Sequence, residues 1–227
     1  MFDKLDKLKN NKYVPKIIFD IGAHHGTWTN NMLKIYPNSK YYLFEAINYS
    51  ELDNLNNYHN ISIHKNIILS NKVKQINWYE GCNTGDSIFK EKSIVYKDIK
   101  PVIKSAISLD FYIKQNNLFN NNPISNIFIK IDCQGSEIDI LKGASSILPY
   151  TDFILLEIPL FGKYNENVPN FREHIEYLDN IGFIPYDILD NHYINNFNMQ
   201  VDMLFINKNN ILNKQVLYDL TYKLDIQ

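Results

Sequence analysis

The chain has 227 residues, 45% of them hydrophobic and 21% charged, with a formal net charge of −2. That composition supports a folded core and excludes wholesale disorder, and no run of about 18 apolar residues offers a membrane-spanning helix. Of the 23 basic residues only Arg172 is arginine, so a slightly acidic chain nearly without the planar guanidinium fork is a poor match for nucleic acid. Cys82 and Cys133 are too few for a disulfide framework or a structural zinc site.

Residues 1–14 form a Lys/Asn-rich lead-in with weak helical periodicity at Phe2, Leu5 and Leu8. They have no apolar core before a small-residue cleavage site, so they do not read as a secretory signal, and a cytoplasmic location is the expectation. Residues 15–209 read as one domain. Lys16–Ile21 is expected as a buried strand, Thr27–Tyr36 as a helix and Lys40–Phe44 as a strand. Tyr49–Asn57 follows as a helix and Ile61–Leu69 as a third strand. Such alternation predicts a parallel sheet with helices on its faces. Residues 72–107 form a less regular insert with strands at Val73–Tyr79 and Ile103–Ser108, and this long segment reads as a cover over a site. A helix at Leu109–Asn116 and a loop at Asn120–Pro123 lead to a strand at Ile127–Asp132 and a helix at Ser136–Leu148. Then come a strand at Asp152–Ile158, a helix at Phe171–Asn180, and strands at Phe183–Leu189 and Val201–Ile206, paired antiparallel through a longish loop. Residues 210–227 are expected as a C-terminal helix.

The sharpest local feature is Phe19-Asp20-Ile21-Gly22-Ala23-His24-His25-Gly26-Thr27, between a buried strand and a helix. Glycines there let backbone approach a ligand. The Gly-x-x-x-Gly spacing lacks the glycine of the dinucleotide fingerprint Gly-x-Gly-x-x-Gly. Glu45 ends the next strand, 19 residues past Gly26 and followed by Ala46, and a carboxylate there can accept from ribose hydroxyls. Asp20, Gly22, Ala23, Gly26, Glu45 and Ala46, with Asn66 near an adenine, thus describe a nucleoside cofactor without a pyrophosphate. S-adenosylmethionine fits that description.

The second half carries Ile129-Lys130-Ile131-Asp132-Cys133-Gln134-Gly135-Ser136-Glu137, then Ile140-Leu141-Lys142-Gly143-Ala144 and Ile154-Leu155-Leu156-Glu157-Ile158. With Phe19–Ala23 before them and Ser108-Leu109-Asp110 between, the chain resembles the FkbM family of S-adenosylmethionine-dependent methyltransferases over about residues 16–206. The resemblance implies an α/β class I methyltransferase fold, Rossmann-like, with seven strands of which one is antiparallel and helices on both faces. It also implies methyl transfer to a hydroxyl oxygen, often of a sugar. The chain departs from the family pattern at His24, where Asn is usual, and at Gln134, where Glu is usual.

For the chemistry, Lys130 and Asp132 share one face of their strand. A buried lysine there reads as half of an ion pair with Asp132 or Glu157, or as a desolvated general base. Asp132 is expected at the cofactor's amino group or at the acceptor hydroxyl, with Glu157 ending the neighbouring strand beside it. A hard cation between these two carboxylates is the weaker reading, and no metal is expected. His24, adjacent to His25 in the cofactor loop, is a candidate proton acceptor or a loop hydrogen-bonder. Glu137 opens a helix and reads as its dipole partner. The aromatic side chains Trp78, Tyr79, Tyr96 and Tyr164 lie where a sugar ring could stack. The expected partner is a small-molecule or carbohydrate acceptor, with neither nucleic acid nor membrane. The competing functions are an idle cofactor-binding module, which Gln134 keeps in view, and a nucleotide-dependent oxidoreductase.

Overall fold

A computed structural model describes residues 1–81, 84–119, 123–161 and 163–210. Cys82, most of the 120–123 loop and the helix expected beyond residue 210 lie outside these residues. Ten strands are present among the described residues: β1 Ile17–Ile21, β2 Lys40–Glu45, β3 Ile61–Lys65, β4 Ile68–Leu69, β5 Lys74–Trp78, β6 Val102–Ile107, β7 Ile127–Ile131, β8 Thr151–Pro159, β9 Phe183–Ile194 and β10 Phe197–Asn207. Five α-helices accompany them: α1 Phe2–Asn10, α2 Thr27–Ile35, α3 Leu109–Gln115, α4 Glu137–Lys142 and α5 Phe171–Asn180.

Seven strands form the main sheet in the order β3-β2-β1-β7-β8-β10-β9. Only β10 runs against its neighbours, pairing antiparallel with both β8 and β9. Every residue of β1 and β7 is buried, as expected of central strands covered on both faces. Phe19, Phe44, Ile129 and Leu156 pack on one face with Leu109 of α3, Leu141 of α4 and Leu178 of α5. Tyr41, Leu43, Phe128 and Phe153 pack on the other, with Leu5 and Leu8 of α1 and Met32 of α2. The chain leaves β1 toward β2 and β3, then returns to lay β7 on the other side of β1. That reversal opens a crevice at the carboxyl ends of β1 and β7, the place where open α/β sheets bind ligands.

Several expected elements change shape. The lead-in is a true helix, α1, because burying Leu5 and Leu8 supplies stabilisation that its own propensity lacks. Residues Ser50–Asn57 form a 3₁₀-helix rather than an α-helix. The strand expected over 61–69 breaks at Asn66, whose φ of +59° turns the chain, so that β4 joins a second sheet of order β4-β6-β5. The helix expected over 136–148 stops after Lys142. A Cβ at Gly143 would lie 2.2 Å from the Ser70 carbonyl oxygen, and the Gly143 carbonyl accepts the Asp110 N–H at 2.8 Å. Asp110 then ties the next turn through Ser145 Oγ and the Ser146 N–H and Oγ. Finally, β9 and β10 meet at Asn195-Asn196 with no long loop. Both residues have positive φ, as a tight hairpin turn requires.

Candidate active site

The crevice holds a cavity of about 470 Å³, within the range that takes a cofactor-sized ligand. Its near wall is the turn after β1. A Cβ on Gly22 would fall 2.0 Å from the Asp132 carbonyl oxygen, so only glycine lets this turn, at φ +76°, close against the end of β7. The Gly22 and Ala23 N–H groups donate to the Phe44 carbonyl at 2.9 and 3.1 Å, which fixes the turn to β2. At the end of β2, Glu45 accepts the His24 N–H at 2.7 Å and the Ile47 N–H at 2.9 Å, one on each carboxylate oxygen. Burial raises its pKa, against the lowering effect of these two bonds. Glu45 therefore shapes the loop as well as facing the cavity, and each oxygen retains a lone pair for a hydroxyl donor. Phe44, Ile67, Leu69 and Trp78 add apolar side chains to the same lining.

The far wall belongs to β7, β8 and β10. Asp132 follows β7, Glu157 lies within β8, and Gln200 lies near the start of β10, all on the lining. Gln134 has a φ of +51° and turns its amide between the two acids, donating to Glu157 Oε2 at 3.0 Å and to Asp132 Oδ1 at 3.4 Å. Gln200 donates to the same Glu157 oxygen at 3.1 Å. Burial, then the neighbouring Asp132, Asp202 and Glu137 charges, pushes the Glu157 carboxyl well above the usual carboxylate range. Glu157 Oε1 is 3.8 Å from His192 Nε2, which itself meets Asp202 Oδ2 at 2.8 Å. These three residues bring a ring nitrogen and two carboxylate oxygens within 4.8 Å of one another. The Asp202 hydrogen bond is the main cause of a raised His192 pKa. The carboxylate pair considered from sequence as a metal clasp, Asp132 with Glu157, has the Gln134 amide donating to both of its members.

The cover lies over both walls. Ser87 Oγ donates to the Gln134 carbonyl at 3.0 Å, and Lys92 N–H donates to the Tyr164 carbonyl at 2.8 Å. Trp78, Thr84, Asp86, Glu91 and Tyr164 thereby reach the lining. Tyr96 is wholly buried inside the cover, where its hydroxyl holds Asp86 at 2.5 Å, and Tyr79 is not on the lining.

The residues singled out from sequence divide accordingly. Gly22, His24, Glu45, Ala46, Asp132 and Glu157 line the cavity, whereas Asp20, Ala23, Gly26, Asn66 and Lys130 do not. Asp20 is fully buried beneath the floor, accepting from Thr29 Oγ1 at 2.6 Å and pairing with Lys130 at 3.1 Å. Lys130 also donates to the Gly22 carbonyl at 2.9 Å and sits 3.6 Å from Asp132. Burial opposes its charge, but the Asp20 and Asp132 carboxylates outweigh that and raise its pKa. This is the reverse of what a general base needs, and its partners are Asp20 and Asp132 rather than Glu157. Gly26, at φ +78°, faces the 3₁₀-helix, where a Cβ would meet Leu55 Cδ1 at 2.6 Å. Asn66 supplies the turn that delivers Ile67 to the lining. His24 stacks on His25 at 3.8 Å with Tyr49 edge-on to both, and burial followed by His25 lowers its pKa. Glu137 Oε1 accepts the Cys133 and Gly135 N–H groups, closing the turn before α4. Sequence reasoning missed Gln200, Tyr49, Asp86, Glu91 and the His192–Asp202 pair. Gln200 had a usable signal, because an antiparallel strand starts where its parallel neighbours end.

The family model described as methyltransferase FkbM domain matches residues 20–185, most of the chain. The chain belongs to the FkbM methyltransferase family. Methyltransferase FkbM from Methylobacillus flagellatus KT shares 14% identity and a TM-score of 0.50, over 85% of this chain and 43% of that one. This FkbM chain thus spans less than half of that neighbour's length. Fibrillarin from Aeropyrum pernix, solved with natively bound S-adenosyl-L-methionine, shares 11% identity and a TM-score of 0.47, over 86% of this chain and 67% of that one. No curated protein matches the FkbM chain. Its cofactor is S-adenosylmethionine, and the lining fits it, with the Gly22 turn, the acid of Glu45 and the apolar side chains of Phe44, Ile67 and Trp78 on one cavity. None of the described helices is long and apolar enough to cross a membrane.

Proposed function

We propose that this methyltransferase acts on a hydroxyl oxygen of a small polar acceptor, a sugar or glycan hydroxyl being the first choice, at a cytoplasmic location. The observation that carries the reading is the convergence of Asp132, Gln134, Glu157 and Gln200, joined by the two amide donors, on the same lining as Gly22 and Glu45. When bound, S-adenosylmethionine supplies an electrophilic methyl carbon on a sulfonium. In this reading Glu45 holds the ribose hydroxyls, the Phe44–Ile67–Trp78 flank takes the adenine, and Asp132 meets the amino end.

Glu157 would accept the acceptor's hydroxyl proton, leaving the oxygen free to take the methyl group that the bound cofactor would supply. A carboxylate whose pKa is lifted toward neutrality is a stronger base than an ordinary one, and burial lifts Glu157 in that direction. Gln134 and Gln200 fix the orientation of its carboxylate by donating to Oε2, leaving Oε1 for the proton. Tyr164 and the cover limit water at the site. The position of the acid in a protein-held cavity thus provides alignment and proton removal, the two requirements of methyl transfer to oxygen.

The test is mass spectrometry of free sugars, glycans and nucleotide sugars after incubation with the protein and isotopically labelled methyl donor. A labelled methyl group on an acceptor oxygen is expected. Label on nitrogen or carbon only, or transfer by Glu157→Gln at the wild-type rate, would refute the assignment.

A further inference from the structure

The lining carries five carboxylates, Glu45, Asp86, Glu91, Asp132 and Glu157, and no lysine or arginine among its described residues. Four of the five are engaged by neighbours. Glu45 takes two loop N–H groups, and Asp86 takes the Gly81 N–H at 2.7 Å and the Tyr96 hydroxyl. Asp132 sits by Lys130 and Gln134, while Glu157 accepts from Gln134 and Gln200. Glu91 differs, since its carboxylate has no hydrogen bond or ion pair with any described residue although it lines the cavity.

The cover delivers Glu91 deliberately. Its backbone bridges to Asn165, while the Glu166 N–H donates to the Lys90 carbonyl at 2.8 Å, so the acid is held alongside Tyr164. A Cβ on Gly85 would fall 1.6 Å from Glu91 Oε2, so a side chain at residue 85 would push this carboxylate from the position it now holds. A sulfonium amino acid offsets one negative charge at most, and an excess remains on the acceptor side. A phosphate placed there would face carboxylates with no lysine or arginine on the described lining, Lys130 and His192 lying behind Asp132 and Glu157, an arrangement that selects by repulsion as well as by attraction.

We infer that the acceptor is a hydroxyl compound bearing a protonated amine, which Glu91 receives, and that phosphorylated and nucleotide-linked sugars are turned away from this cavity. The inference rests on the methyl-transfer reading of the site. It is tested first by calorimetric titration with S-adenosylhomocysteine, whose failure to bind would remove that reading itself. The protein loaded with S-adenosylhomocysteine is then probed by ligand-observed NMR with glucosamine, glucose and glucose 6-phosphate, at about pH 6.5 where the amine is charged. Glucosamine should bind at least about tenfold more tightly than glucose, glucose 6-phosphate should not displace it, and Glu91→Gln should erase the preference for the amine. Absence of glucosamine binding, equal or tighter binding of the phosphate, or a preference that survives Glu91→Gln would overturn the inference while leaving the cofactor site intact.

Discussion

Replacing Glu45 by alanine separates a cofactor contact from a loop support, because the same carboxylate is in position for both. In the free protein the change strips acceptors from the His24 and Ile47 N–H groups, held at 2.7 and 2.9 Å. Hydrogen bonds to a charged group contribute about 1.5–3 kcal/mol each, and water entering the vacated space recovers part of that. A net loss of about 2 kcal/mol is expected, or about 4–8 °C in Tm for a domain of this size. Ribose hydroxyls would add two more bonds to the remaining lone pairs. Losing these at about 1.5 kcal/mol each weakens S-adenosylhomocysteine binding by about 150-fold. Glu45→Gln keeps one carbonyl oxygen but turns an NH₂ toward one of the two loop N–H groups, so it should fall between wild type and alanine in both Tm and affinity. Titration calorimetry and thermal unfolding of the three proteins measure the two effects independently. A dissociation constant for the alanine variant within threefold of wild type would refute the ribose contact, even with the loss of Tm as expected. The raised Glu45 pKa adds a sign: the carboxyl takes up its proton at a higher pH than a free glutamate, so affinity should fall as pH descends toward that range.

Gln134→Glu places a third carboxylate about where the amide now sits, 3.0 Å from Glu157 Oε2, a repulsion of about 5 kcal/mol at an effective dielectric of about 20. One of the acids must then keep a proton, so the ascending limb of the pH–rate profile should move up by a unit or more, with transfer at about pH 7 down about tenfold; an unmoved profile would count against Glu157 as the base. Gly22→Ala brings a Cβ to 2.0 Å from the Asp132 carbonyl at a φ of +76°, and should lower Tm by about 6–12 °C; unchanged unfolding would mean that the turn is more plastic than its geometry states. His64, half-buried against Phe44 with burial lowering its pKa to about 4, stays neutral in the folded chain while the unfolded chain protonates near 6.5. Its contribution is complete above the unfolded value and lost as pH falls below it. Discounting for partial solvation, urea titrations should show about 1 kcal/mol less stability at about pH 5 than at about pH 7 from this residue, a slope that His64→Phe should flatten.

The sheet was readable because its evidence is local and redundant. The mostly apolar runs Ile17–Ile21, Ile127–Ile131 and Phe153–Leu156 are buried on both faces, and such runs carry their own signature. Elements whose form depends on distant partners were less readable. Helix α1 is polar along most of its length and is held by where Leu5 and Leu8 land. The stop of α4 at Gly143 depends on the backbone at Ser70, which no periodicity near residue 143 reports. The break at Asn66 shows the same limit, for the isoleucines of Ile61–Leu69 read as one strand although Asn66 between them adopts a left-handed conformation.

At the site the same division explains which residues could be chosen. Strand ends on the carboxyl side were identifiable from topology, and Gly22, Glu45, Asp132 and Glu157 converge there. Asp20 and Lys130 carried the same polar signal one layer deeper, where an acid and a base 3.1 Å apart satisfy each other; alternation along a strand does not reveal how far from its end the cavity begins. The two departures from the family pattern leave the backbone turns in place. His24 and Gln134 both have left-handed φ, +49° and +51°, in the turns that follow β1 and β7. Asn tolerates that conformation best and His is among the residues enriched in it, so His24 preserves the turn whose N–H reaches Glu45. Gln134 likewise keeps a long side chain at the same bend and exchanges a charge for a donor. The turn geometry survives both exchanges, and what changes is the charge between Asp132 and Glu157, the pair to which we assign proton removal.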